Sequence, residues 1–102
     1  MLGSKLSKKA IKHLETNYKA VVINLVATSK KGNPDLIACI KGKFYAFEIK
    51  GSTDTEKELQ KQKLHNITIA GGFGGFVYCL EDIDNIIKYN KQYVYNKNYI
   101  KL

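Results

Sequence analysis

The stretch GNPDLIACIKGKFYAFEIK, residues Gly32 to Lys50, reads as two β-strands folded back on each other. The first runs from Asp35 to Ile40 and the second from Lys43 to Lys50. Both are rich in β-branched and aromatic residues, and Lys41-Gly42 supplies the two-residue turn between them. Pro34 cannot donate to a strand ladder, so it belongs just before the first strand, where it aims Asp35. The turn fixes the pairing. Ile40 faces Lys43, Cys39 faces Phe44, Ile37 faces Ala46, and Asp35 faces Glu48. Alternation puts Lys50 on the same side as Glu48.

Two acids placed opposite each other are unfavourable by themselves. At about 5 Å two like charges repel by about 3 kcal/mol at an effective dielectric of about 20. A good cross-strand pair gains at most about 1 kcal/mol. A divalent cation between the acids would remove the repulsion, since Mg²⁺ binds through one or two carboxylates and keeps several waters. A slip of one residue would instead send the acids to opposite faces, as ordinary solvated groups.

On the N-terminal side, Ser4 to about Glu15 has helical spacing, with Leu6, Ala10 and Leu14 four apart and Ile11 beside them. Lys5, Lys8, Lys9 and Lys12 fall on the other side, as a phosphate-binding stripe or a solvated surface. Tyr18 to Thr28 reads as a strand, and the apolar run Ala20 to Ile23 predicts cover on both of its faces. Ser29 to Asn33, with Lys30 and Lys31, is a loop.

On the C-terminal side, Thr55-x-x-Glu58 or Thr53-x-x-Glu56 is a capping box for a helix reaching about Ala70, stopped by Gly71-Gly72. Gly71 to Gly75 is no phosphate loop, because it follows a helix and precedes a strand and no Gly-Lys-Ser/Thr follows. It reads as a helix stop and a flexible approach to a fourth strand, Phe76 to Leu80. Glu81-Asp82 opens a further helix through Ile87. The tail, Gln92 to Leu102, alternates Tyr93, Tyr95 and Tyr99 around a turn-like Asn96-Lys97-Asn98 and forms an additional C-terminal hairpin in this reading. That strand would pack on the core, pair across a dimer axis or stack on bases.

A chain of 102 residues accommodates one domain, 1–102, with one core. No apolar run is long enough to span a membrane, and no signal peptide opens the chain. Cys39 and Cys79 fall in strands without a C-x-x-C and are expected to be buried, reduced thiols of a cytoplasmic protein. His13 and His65 have no zinc-like spacing. All 17 basic residues are Lys, against nine acids, for a net charge of +8. That excess points to a polyanion. Lysine neutralises phosphate as a point charge, whereas reading guanine is mainly arginine chemistry, so the partner is a nucleic-acid backbone recognised by shape. A lysine-rich proteome is the plainer explanation.

The order helix, strand, hairpin, helix, strand, with Gly32-x-Pro34-Asp35, then Glu48-x-Lys50, then Gln60 and Gly71-Gly72, resembles the PD-(D/E)XK nucleases and, among them, the small VRR-NUC type. The likeness covers roughly residues 2 to 87. It implies an α/β, restriction-endonuclease-like core with a mixed four-stranded sheet flanked by helices. It also implies that Asp35, Glu48 and the backbone carbonyl of Ile49 hold Mg²⁺ or Mn²⁺. Lys50 would meet the attacking water or the scissile phosphate, and Gln60 would support the site. A Glu that members often carry near the start of the first helix is replaced here by Gly3, which puts metal affinity or metal number in doubt.

The implied function is a metal-dependent, structure-specific endodeoxyribonuclease acting on branched DNA, as a homodimer of the junction-resolving kind. Lys5, Lys8, Lys9, Lys12, Lys30 and Lys31 would contact DNA. Lysine and asparagine usage suits a phage or mobile element of an AT-rich bacterium. The alternatives are an inactive DNA-binding module of the same fold, favoured by Gly3, and a restriction-like enzyme, which the absence of Arg disfavours.

Overall fold

A computed structural model describes residues 3–26 and 31–95. Helix α1 (Gly3–Tyr18) leads into strand β1 (Val21–Asn24), then the hairpin β2 (Leu36–Ile40) and β3 (Lys43–Ile49). Helix α2 (Glu58–Ile69), strand β4 (Phe73–Val77) and helix α3 (Leu80–Tyr89) follow. The sheet order is β1-β2-β3-β4, antiparallel except for the β3–β4 pair. A parallel pair needs a crossover, and α2 supplies it.

The hairpin has the expected register, with Ile40 opposite Lys43, Cys39 opposite Phe44 and Ile37 opposite Ala46. Lys41 and Gly42 have φ of 50° and 81°, as a two-residue turn of this hand requires. Alternation then sorts the side chains. Leu36, Ala38, Ile40, Tyr45, Phe47 and Ile49 face one way and bury against Leu6, Ala10 and Leu14 of α1 and Ile83 and Ile86 of α3. Asp35, Ile37, Cys39, Phe44, Ala46 and Glu48 face the other way, where Ile67 of α2 and the Phe44 ring both close on Gly72. The i, i+4 spacing read in α1 is the one that is buried, and Lys5, Lys8, Lys9 and Lys12 are exposed.

Several expectations need correction. The first strand is four residues long and not covered on both faces: it is an edge strand, and Val21 and Ile23 are 68% and 54% exposed. Burial on both faces needs a packed layer on each: Val22 meets the core, but Val21 and Ile23 lie on the side of exposed Cys39. The fourth strand runs Phe73–Val77 rather than 76–80, so Gly74 and Gly75 lie within it. A Cβ on Gly74 would run into the Ala46 carbonyl, which is why a glycine sits in the middle of this strand. Leu80 belongs to α3, whose first turn carries Glu81 and Asp82. Neither Thr53 nor Thr55 caps α2. Lys57 does, and its N–H donates to Gln60 Oε1 at 3.0 Å. Both cysteines are free and exposed, not buried: Cys39 is on the outward side of β2, and Cys79 caps α3.

After α3 the chain runs back along β4 without forming a strand as far as Tyr95. Gly74 N–H donates to Lys91 O at 2.9 Å, and Gln92 Nε2 donates to Gly72 O at 3.2 Å, which covers the β4 edge. The turn Asn96–Asn98 and the rest of the expected C-terminal hairpin lie outside the described residues.

Candidate active site

Asp35 sits one residue before β2, and Glu48 one residue before the end of β3. Extending the register by one places them opposite each other. Asp35 is fixed by the backbone of the facing strand: Ile49 N–H donates to its Oδ2 at 2.9 Å. Glu48 is 2% exposed. Burial pushes its carboxyl up to about 8; a hydrogen bond with the Asp35 side chain and repulsion from its charge add to the rise, while Lys50 and the Asp35 backbone pull the other way. In the metal-free fold Glu48 therefore keeps its proton up to about pH 8.

The two acids share a cleft of about 670 Å³ whose lining includes Lys31, Lys57 and Gln60. Gln60 reaches this cleft as expected, with its side-chain oxygen engaged in capping α2. Lys50 is buried, at 5% exposed. Its Nζ donates to Thr55 O at 2.7 Å and lies 5.8 Å from the centre of the Phe76 ring. The ammonium is thus held beside the acid pair by a carbonyl and an aromatic face. Phe76 was not anticipated as part of the site. Its parallel pairing with Glu48 puts it there, and that pairing depends on where β4 begins.

The donor set is all oxygen, which suits Mg²⁺ or Mn²⁺ over softer metals. Among the described residues no group of three or more His, Cys, Asp and Glu could hold a metal. The pair fits a hard divalent ion nonetheless, because such an ion would replace the proton that burial and the neighbouring Asp35 keep on Glu48. Lys5, Lys8, Lys9 and Lys12 are not among the cleft residues, since α1 packs on the opposite face. Lys30 lies outside the described residues.

A second polar cluster was not foreseen. His13 Nε2 lies 2.7 Å from Asp84 Oδ1, and Tyr18 Oη donates to the same oxygen at 2.5 Å. These contacts join α1 to α3. Despite its partial burial, which acts the other way, the bonds from Tyr18 and His13 hold the Asp84 carboxyl below its usual range. His65 Nδ1 accepts the Tyr95 N–H at 3.3 Å.

A family model described as archaeal Holliday junction resolvase (hjc) matches residues 3–95. A solved structure described as a VRR_NUC domain is similar over 85% of this chain and 95% of its own, at 19% identity and a TM-score of 0.69. At that identity the likeness speaks to the fold, and the fold is the one that the hairpin motif predicts. The comparison with curated proteins gave no match.

Proposed function

This chain belongs to the archaeal Holliday junction resolvase family, and on that premise we propose that it is a metal-dependent endodeoxyribonuclease that cuts branched DNA, four-way junctions above all. The observation that carries the reading is the acid pair: Glu48, buried and pushed up to about 8, in contact with Asp35 across the hairpin. A fold shaped for stability alone has no use for that pair. A divalent metal, when bound, supplies Lewis-acid polarisation of a phosphoryl oxygen and lowers the pKa of water near neutral pH. Asp35, Glu48 and the Ile49 carbonyl are the groups that would hold it.

The chain's own residues do the rest. Asp35 is kept in place by the Ile49 amide, so the ligand geometry is set by backbone rather than by a free rotamer. Water gives up a proton to solvent as it adds to phosphorus, the bond to the leaving oxygen breaks, and that oxygen takes a proton from solvent. Lys50 stabilises the charge that builds on the phosphate. Its long side chain allows it to leave the Thr55 carbonyl and reach the phosphate when DNA is bound. Gln60 keeps the start of α2, and with it Lys57, at the rim of the cleft. The chain as a whole, 1–102, acts as one nuclease domain.

Two cuts on symmetric strands call for two copies. The β4 edge is covered by Lys91 and Gln92, whereas among the described residues no segment pairs with the outer edge of β1, where Val21, Ile23 and Val26 are exposed. A homodimer across that edge satisfies both the open ladder and the apolar side chains.

The test is a panel of linear, nicked, flapped and four-way DNA incubated with Mg²⁺ or Mn²⁺ between pH 7 and 9. Metal-dependent cleavage of the four-way substrate is expected, lost in Asp35→Asn and Glu48→Gln with binding retained. Binding without cleavage by the unaltered protein would favour an inactive DNA-binding module, a reading that the Lys50–Thr55 bond and the two-acid site keep in play.

A further inference from the structure

Among the described residues only three other than glycine have positive φ: Lys19 at 55°, Lys41 at 50° and Asn90 at 49°. All three line one cleft of about 550 Å³, at the turn end of the hairpin. Lys43 and Lys88 line it too, and no carboxylate does. Four lysines therefore converge, and none has an ion-pair partner among the described residues. Asn90 Oδ1 accepts the hydroxyl of buried Tyr45 at 2.7 Å, which leaves the two N–H donors of its amide for a ligand.

The backbone makes this more than a charged surface. Lys19 follows the end of α1, where a left-handed residue is usually glycine. Lys41 is the first residue of a two-residue turn that ordinarily takes Asn, Asp or Gly there. A side chain with a Cβ is strained in that region, so for stability alone lysine is a poor choice at both positions. The ends of α1 and α3 do bring negative dipole ends to this cleft, and lysine is favourable near such ends. Two half-charges do not balance four ammonium groups, however.

We propose that this cleft is a second DNA-backbone site, which takes a phosphate from a stretch of strand other than the one lying across the acid pair. The proposal rests on the reading of the chain as a DNA nuclease. The acid pair lies at the other end of β2, roughly 17 Å away along the strand, on the opposite face of the sheet. A branched DNA offers backbone in two directions from one point, and a short linear duplex does not.

Two double variants test this: Lys19→Gly/Lys41→Gly, and Lys43→Gln/Lys88→Gln. The glycine variant relieves the strained backbone, so its melting temperature should rise while its affinity for a four-way junction falls. Each phosphate contact contributes about 0.9 to the slope of log K against log salt, so either pair should flatten that slope by up to about 2. Affinity for the junction should drop on the order of tenfold or more, against a smaller loss on a short linear duplex. The cleavage rate at saturating junction should not change. Unchanged affinity and salt slope, or an equal loss on both DNA forms, would overturn the site while leaving cleavage by the unaltered protein to stand. If the unaltered protein cuts no DNA but the variants bind junctions more weakly, the site stands and the nuclease reading falls. No binding of either DNA by the unaltered protein overturns both.

Discussion

Glu48→Gln should make the metal-free protein more stable while ending its activity, and the gain should depend on pH. Gln keeps the shape of Glu but cannot carry charge beside Asp35. The Glu48 carboxyl is raised from its ordinary 4.5 to about 8 in the folded chain. The native state therefore holds a proton that the unfolded chain releases between those values. For such a group, stability is fully present below about pH 4.5 and is lost as pH rises through about 8. Burial is the largest cause of that rise, with the hydrogen bond to Asp35 and repulsion from its charge adding to it, and a rise from 4.5 to about 8 corresponds to about 5 kcal/mol. The variant should thus nearly match the unaltered protein at pH 4.5 and exceed it by about 4–5 kcal/mol at pH 8.5. In urea with EDTA that is a midpoint about 3 M higher, for a denaturant slope near 1.5 kcal/mol/M. Other titrating groups are common to both proteins and cancel in the difference. Mg²⁺ should narrow the gap by stabilising only the unaltered protein, by about 2.7 kcal/mol at a hundred times its Kd. A difference that is absent at pH 8.5, or as large at pH 4.5 as at 8.5, would refute the argument that Glu48 is buried against a like charge.

Further outcomes follow from other parts of the fold. Lys50→Ala should lower the cleavage rate far more than DNA affinity, read from single-turnover rates beside binding titrations. Asp84→Asn weakens the bonds to His13 and Tyr18 that join α1 to α3 and should lower stability by about 1–2 kcal/mol in urea unfolding, with cleavage at saturating DNA intact. Gly74→Ala puts a methyl group against the Ala46 carbonyl, so β3 and β4 must separate; a loss of at least about 2 kcal/mol is expected in the same assay. Ile23→Lys on the outer β1 edge should shift the protein from dimer to monomer in sedimentation analysis without altering the circular dichroism of the fold.

The hairpin was readable because its determinants are local. A two-residue turn permits one register, and alternation then assigns every side chain between Asp35 and Lys50 to a face. The acid pair, the burial of Leu6, Ala10 and Leu14, and the stop at Gly71 all follow from spacing within a dozen residues. What depends on partners was not readable. The Val21–Asn24 strand looks like a buried one until the packing shows that only its Val22 side meets the core. Gly74 looks like loop until the Ala46 carbonyl is found beside it.

The site divides along the same line. The sequence by itself determined that Asp35 and Glu48 meet and that Lys50 stands on their side, since each is set by counting along one hairpin. Only the tertiary structure decided how hard the acids press on each other, because burial of Glu48 needs α2 and β4 in place. It alone placed Phe76 and Thr55 around the Lys50 ammonium. It also gathered Lys19, the hairpin-turn pair Lys41 and Lys43, and Lys88 from three separate parts of the chain into one cleft. Charge spacing along a chain carries no record of which turns and helix ends will converge, since that follows from how the layers pack.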